Sequence, residues 1–236
     1  MWKKFDARKK LRITKKTIKG SNKKAIIFFP YWTGKSSIYE KLSKQFPEHT
    51  LVFYNYPNEV MSEDVKVSLN YINQLLKDSS KLIRNLRKKG IKEITLFGSS
   101  FGSNIALKLS TMIIVDKLIL NMMDRDIAKV IFTSPALVIL RTKLIKKGFN
   151  LDKLDKIYEF LSLDYNIKKI KNKKMKILIF LSKTDIFCRV DDFKSIFKKM
   201  DKMKLNYQLK INRFLGHIPG IYKNIKNHKV IDFIED

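Results

Sequence analysis

Ile94-Thr95-Leu96-Phe97-Gly98-Ser99-Ser100-Phe101-Gly102-Ser103-Asn104 decides how the rest of the chain is read. Its first four residues form a short apolar and β-branched run of the kind found in strands buried on both faces. Two glycines then bracket a serine at the spacing G-x-S-x-G, and a helical pattern begins near Asn104 and continues to about residue 115. A strand that turns this sharply into a helix needs small residues two before and two after the turning position, where the two backbones come closest. Gly98 and Gly102 meet that need and select Ser100, leaving Ser99 and Ser103 as neighbours. The Ser100 hydroxyl is expected to stand above the sheet, in front of the free N–H groups and positive dipole end of the helix behind it.

Similar runs recur on both sides of this turn, at 25–29, 51–54, 127–132 and 177–181, with a weaker one at 205–211. Amphipathic stretches separate them, so strands and helices alternate and predict an α/β fold with a mostly parallel central sheet flanked by helices. The clearest helix spans about 62–89, with Val65, Leu69, Ile72, Leu76, Ile83 and Leu86 near helical spacing. Ser62 is its expected N-cap, and Arg87-Lys88-Lys89 complement its C-terminal dipole before Gly90. Further helices are expected at 190–203 and 219–234. The region 137–174 is longer than one crossover helix needs and reads as a small helical insertion. No repeat or linker divides the 236 residues, which predicts a single domain. Residues 1–24 carry eleven Lys/Arg against one acid, Asp6, and read as a basic arm or as an edge strand over 11–18.

A hydroxyl is a weak nucleophile until a base takes its proton, and the base needs an acid to fix its tautomer. The chain has three histidines. His49 precedes a strand and His228 lies in the basic C-terminal helix, whereas His217 follows the last strand in Leu215-Gly216-His217-Ile218-Pro219-Gly220. Ligands of open α/β sheets collect at the C-terminal ends of strands, which favours His217. Asp185 is the matching acid because it ends Leu181-Ser182-Lys183-Thr184-Asp185 just beyond a strand. Asp191 and Asp192 are second choices, better suited to capping the next helix. The single cysteine, Cys188, excludes a disulfide framework and a Cys-rich metal site, and reads as a small buried hydrophobe. Each of these residues taken alone also fits an ordinary turn or cap; their joint order and strand-end placement single them out.

The order Ser100, Asp185, His217 resembles the α/β-hydrolase superfamily, as do the elbow 98–102, Gly216-His217 and Pro30-Tyr31-Trp32-Thr33-Gly34 after an early strand. The resemblance implies an oxyanion hole from the backbone N–H groups of Phe101 and Trp32, with Tyr31 as the alternative donor. Pro30 and Tyr31 stand where the family more often has His and Gly. It also implies a serine hydrolase acting on a carboxylic ester or thioester, with acyltransferase and peptidase chemistry available to the same residues. The insertion at 137–174 would then cover the nucleophile, with Leu137, Val138, Leu140, Tyr158, Phe160 and Leu161 as candidate acyl contacts, though amphipathic helices carry such residues to pack and most of the six are expected to be core. No metal or organic cofactor is implied.

Composition bears on partners. Lys+Arg number 50 against 22 Asp+Glu, a net charge of +28, while 44% hydrophobic and 11% aromatic residues exclude a disordered chain. Only eight of the basic residues are Arg, the residue best shaped for phosphate and guanine, so a dedicated nucleic-acid site is the lesser reading. A Lys-rich exterior still suits an anionic substrate or surface. The polar N-terminus and the absence of a long apolar run predict a cytoplasmic protein without a signal peptide or membrane span.

Overall fold

Residues 13–236 are described by a computed structural model, in which seven strands form one sheet. The strands are β1 (Thr14–Ile18), β2 (Lys24–Phe29), β3 (Thr50–Asn55), β4 (Glu93–Ser99), β5 (Lys117–Asn121), β6 (Lys176–Ser182) and β7 (Tyr207–Asn212). Their spatial order is β1-β3-β2-β4-β5-β6-β7. All pairings are parallel except that of β1, which runs antiparallel to β3 at the sheet edge. β1 is exposed throughout and carries Lys15 and Lys16, charges that discourage edge-to-edge association. The rest of the basic segment, through Arg12, lies outside the described residues.

Among the described residues ten α-helices accompany the sheet: α1 (Glu40–Ser43), α2 (Val65–Lys88), α3 (Phe101–Met112), α4 (Ile127–Thr133), α5 (Val138–Lys146), α6 (Leu151–Tyr158), α7 (Leu163–Ile167), α8 (Val190–Lys202), α9 (His217–Ile225) and α10 (His228–Glu235). Successive strand residues point to opposite faces, so each strand feeds two cores. Ile27, Phe29, Leu96, Leu118 and Ile179 belong to the core shared with α2, α3 and α8. Ile26, Phe28, Phe97, Ile119 and Phe180 belong to the core shared with α1, α9 and α10. Near-continuous apolar strands follow directly from burial on both sides.

Three local expectations are corrected. The run 127–132 is helix α4, not a strand: Asp126 caps it by accepting from Lys129 N at 3.0 Å, and Ile127, Ala128 and Ile131 face inward at helical spacing. The strand is instead β5, whose signal is obscured by Lys117. That residue is 2% exposed, its ammonium held by Glu93 at 2.9 Å and the Ile234 carbonyl at 2.7 Å. At α2 the cap is Asp64, which accepts from Lys66 N at 3.0 Å and Val67 N at 3.3 Å, while Ser62 sits outside it and accepts from Asp64 N. The predicted helix 219–234 divides at Asn227, which caps α10. Between β5 and β6 the chain is helical from Ile127, a segment that contains residues 137–174.

From β2 the chain moves outward to β3 and then crosses back to β4 on the other side of β2. Chain direction across the sheet therefore reverses at the β2/β4 pair, and loops leaving two such strands diverge to leave a crevice. Phe29 and Gly98 are register partners there, so the loop after β2 and the turn after β4 open side by side.

Candidate functional site

Ser100 occupies that crevice, at φ 50° and ψ −124°, a left-handed conformation that costs a non-glycine residue about 1–3 kcal/mol. The surroundings impose it. Ser100 N donates to the Asn121 carbonyl at 2.8 Å, and Ser103 N donates to the Ser100 carbonyl at 2.7 Å. A Cβ at Gly98 would lie 2.3 Å from the Gly102 carbonyl oxygen, and one at Gly102 would lie 2.2 Å from that of Phe29. The two glycines are thus required by backbone approach on both sides of the turn. Beneath it, Ser99 Oγ accepts from the Tyr39 hydroxyl at 2.8 Å and from Asn121 Nδ2 at 3.2 Å, which fixes the end of β4 to β5 and to the turn that leads into α1.

His217 is the first residue of α9 and is buried. Its loop is fastened to the end of β6 by the Ser182 hydroxyl, which donates to the Leu215 carbonyl. Nε2 lies 2.8 Å from Ser100 Oγ and Nδ1 lies 2.7 Å from Asp185 Oδ2. A carboxylate only accepts, so Nδ1 carries the proton and Nε2 is left to accept from the serine hydroxyl. Asp185 is held in turn by the N–H groups of Phe187 at 2.7 Å and Cys188 at 3.2 Å, both donating to Oδ1. The Phe187 ring packs on the imidazole at 4.7 Å between centroids. Burial alone would push the His217 pKa down, but the Asp185 hydrogen bond and the negative charges of Asp124 and Asp185 raise it above its ordinary value.

Asp124 was not anticipated from the sequence. It follows β5 just after Met122, a left-handed residue at φ 55°, and is buried against the same imidazole. Its carboxyl accepts from Cys188 Sγ at 3.1 Å, and its pKa is raised chiefly by burial. Cys188 is buried as expected, but it is not a passive filler: its thiol also lies 3.8 Å from His217 Nδ1, and its pKa is pushed well up by burial and by both aspartates. Asn104 Nδ2 ties the loop together by donating to the carbonyls of Asp124 at 2.8 Å and Leu161 at 3.1 Å. The available signal was an acid three residues past a strand end, hidden because 127–132 had taken the strand's place.

A cavity of about 120 Å³ opens over Ser100. Its walls are mainly apolar, from Tyr31 and Trp32 of the loop after β2, Met61, Phe101, Phe187, and Ile127, Val130 and Leu137 of the helical segment after β5. Asp124 and His217 also border it. Of the insertion residues expected as acyl contacts, Leu137 lines the cavity, Leu140, Tyr158 and Leu161 are core, Val138 is exposed, and Phe160 packs against the core elsewhere. Trp32 is anchored by its indole N–H to the Asn58 carbonyl at 2.7 Å. Tyr31 meets the Tyr222 hydroxyl at 3.5 Å, a contact that with partial burial raises its pKa to about 12. Asp191 and Asp192 sit in the first turn of α8 and pair with Lys194 and Lys129, away from His217. His49 is buried beside Asn22, and His228 opens α10.

This sheet, with its strand–turn–helix serine and helices on both faces, is the α/β-hydrolase fold. Solved structures it is similar to include a lipase in its open form, with TM-score 0.67 and 14% identity over 94% of each chain. Another is acetyl xylan esterase 1 from Thermoanaerobacterium sp., with TM-score 0.68, 13% identity, and coverage of 96% of this chain and 79% of that one. A third is a lipase-esterase related protein from Clostridium acetobutylicum, with TM-score 0.57, 15% identity, and coverage of 94% and 99%. No family model and no curated protein matches the sequence. Among the described residues no helix is long and apolar enough to cross a membrane.

Proposed function

We propose that the protein is a serine hydrolase that cleaves a carboxylic ester or thioester through an acyl-enzyme on Ser100. The observation that carries this reading is the unbroken hydrogen-bond line from Ser100 Oγ to His217 Nε2 at 2.8 Å and from Nδ1 to Asp185 Oδ2 at 2.7 Å, at the floor of an apolar cavity. His217 takes the serine proton as Oγ attacks the acyl carbon, and Asp185 stabilises the imidazolium that forms. The leaving group departs with the proton from Nε2. Water then attacks the acyl-enzyme by the same route.

The developing oxyanion needs two N–H donors. Phe101 N–H, at the first turn of α3, is one, and Trp32 N–H is the other, with Tyr31 as its alternative. None of the three donates to a backbone acceptor among the described residues, which supports their availability. Acyl transfer on this set is complete without a metal or organic cofactor. The helical segment after β5 covers the acyl site, a role supported by Leu137 of the expected insertion 137–174 and by Ile127 and Val130 of α4, which precedes it, in the cavity wall.

A fluorophosphonate probe tests the assignment. The expected result is one covalent label on Ser100 that is lost in Ser100→Ala, together with turnover of p-nitrophenyl or CoA esters in a graded chain-length series. Absence of labelling in the native protein, or undiminished labelling of Ser100→Ala, overturns it.

A further inference from the structure

Of the twelve large hydrophobic side chains exposed among the described residues, six stand on segments that border the cavity, including two of the three most exposed. Phe214 is 84% exposed, Ile139 72% and Ile186 63%, with Val138 and Ile218 also exposed. Each lies in a segment that borders the cavity or sits next to a residue that does: Phe214 three residues before His217, Ile218 just after it, Ile186 before Phe187, and Val138 and Ile139 after Leu137. Exposed apolar side chains gathered on the loops around a binding cavity mark an interaction surface.

Charge identifies the partner. Lys35, Lys183, Arg189 and Arg213 stand on the same loops, are exposed, and form no ion pair among the described residues. The segments 31–35, 135–143, 183–190 and 213–222 contain one acid, Asp185, and it is buried; the nearest exposed carboxylate in sequence, Asp191, follows Arg189 and is paired with Lys194. A second copy of the chain is disfavoured, because self-association would set these cations face to face. An acidic protein is less well matched, since separate protruding apolar tips are suited to entering a fluid interface one by one.

We propose that the rim of the cavity is a docking surface for an anionic lipid bilayer, with Phe214, Ile139 and Ile186 entering the headgroup and upper acyl layer while the four cations meet lipid phosphates. Apolar insertion and electrostatic attraction act together in such binding, and neither suffices alone. The inference deepens the hydrolase reading and rests on it only for the reason a bilayer is visited: a substrate whose acyl chain partitions into lipid reaches the cavity directly from the interface.

Co-sedimentation with vesicles tests binding without turnover. The native protein is expected to bind phosphatidylglycerol–phosphatidylcholine vesicles, bind phosphatidylcholine alone more weakly, and release with salt. A triple variant, Phe214→Ser with Ile139→Ser and Ile186→Ser, is expected to bind at least about tenfold more weakly, since burial of each side chain favours the bound state. Ile114→Ser is the control: Ile114 is 69% exposed but lies beyond the far end of α3 from Ser100. Fluorophosphonate labelling of Ser100 in the triple variant reports an intact fold and is expected to be unchanged. Undiminished vesicle binding by the triple variant, equal loss in Ile114→Ser, no binding by the native protein, or a dimer that the triple variant abolishes in place of vesicle binding would each overturn the proposal. Failure of Ser100 to label, with rim-dependent vesicle binding intact, would overturn the hydrolase reading instead.

Discussion

The loops that leave β5 and β6 each bury an aspartate against His217, yet they equip it differently. Asp185, after β6, receives two backbone N–H donors on one oxygen and the imidazole N–H on the other. Asp124, after β5, receives the weak donor of a buried thiol. A carboxylate that must orient an imidazole has to be oriented itself, and backbone donors do that without side-chain entropy. Only the β6 loop supplies them. The β5 carboxyl acts on His217 through its field, and burial raises its pKa against the lowering by His217, Cys188 and Ser100.

The largest expected effect comes from breaking the better-equipped side. Asp185→Asn keeps the shape but donates to Nδ1 and inverts the tautomer, so kcat for an ester substrate is expected to fall by about 10⁴-fold. Rescue by Asp124 would leave a loss of tenfold or less, and steady-state kinetics of the single variant distinguishes the two.

A smaller effect, in a different observable, is expected from Asp124→Asn. In the proposed mechanism His217 must be neutral to act as base, and Asp124 contributes to raising its pKa, so removing that charge is expected to shift the acid limb of kcat/KM to lower pH while leaving the maximum within about tenfold. Stability moves the other way from most core substitutions. A carboxyl whose folded pKa is raised contributes stability below its unfolded pKa and loses it as pH rises through the folded value, so at neutral pH Asp124 is a burden. Asp124→Asn is therefore expected to raise Tm at pH 7, by about 2–4 °C for each kcal/mol relieved in a chain of this size. Differential scanning calorimetry over a pH series checks the sign: the gain is largest at neutral pH and shrinks as pH falls toward the ordinary carboxylate range.

This contrast also marks how far the sequence could be read. Ser100 was legible because backbone approach leaves Gly98 and Gly102 no alternative, so steric necessity is written into residue type. His217 and Asp185 were legible because both follow strands whose runs are apolar and uninterrupted. Asp124 was not, because β5 contains a buried Lys117 whose partners, Glu93 and the Ile234 carbonyl, are 24 and 117 residues away. Long-range neutralisation of a buried charge leaves no local pattern. The helix at 127–132 was misread for a related reason: a short apolar run has the same composition in a buried strand and on the inward face of a helix, and only the capping bond from Lys129 N to Asp126 separates them. Which helical residues line the cavity was likewise unreadable, since that depends on how α4 and α5 are tilted over the sheet.

The smallest expected effect tests whether the thiol is what keeps Asp124 charged. Cys188 is the donor to Asp124 Oδ1, and that bond lowers the aspartate pKa against the burial that raises it. Cys188→Ala removes the donor, so Asp124 takes up a proton more readily and its charge acts less on His217. The acid limb of kcat/KM is then expected to move to lower pH, in the same direction as in Asp124→Asn and by a smaller amount. In an Asp124→Asn background the same cysteine substitution is expected to move the limb no further, because the charge through which the thiol acts is already gone. A full shift in the double variant would mean that Cys188 acts on His217 directly across their 3.8 Å contact, and the β5 carboxyl would lose its place in the electrostatics of the site.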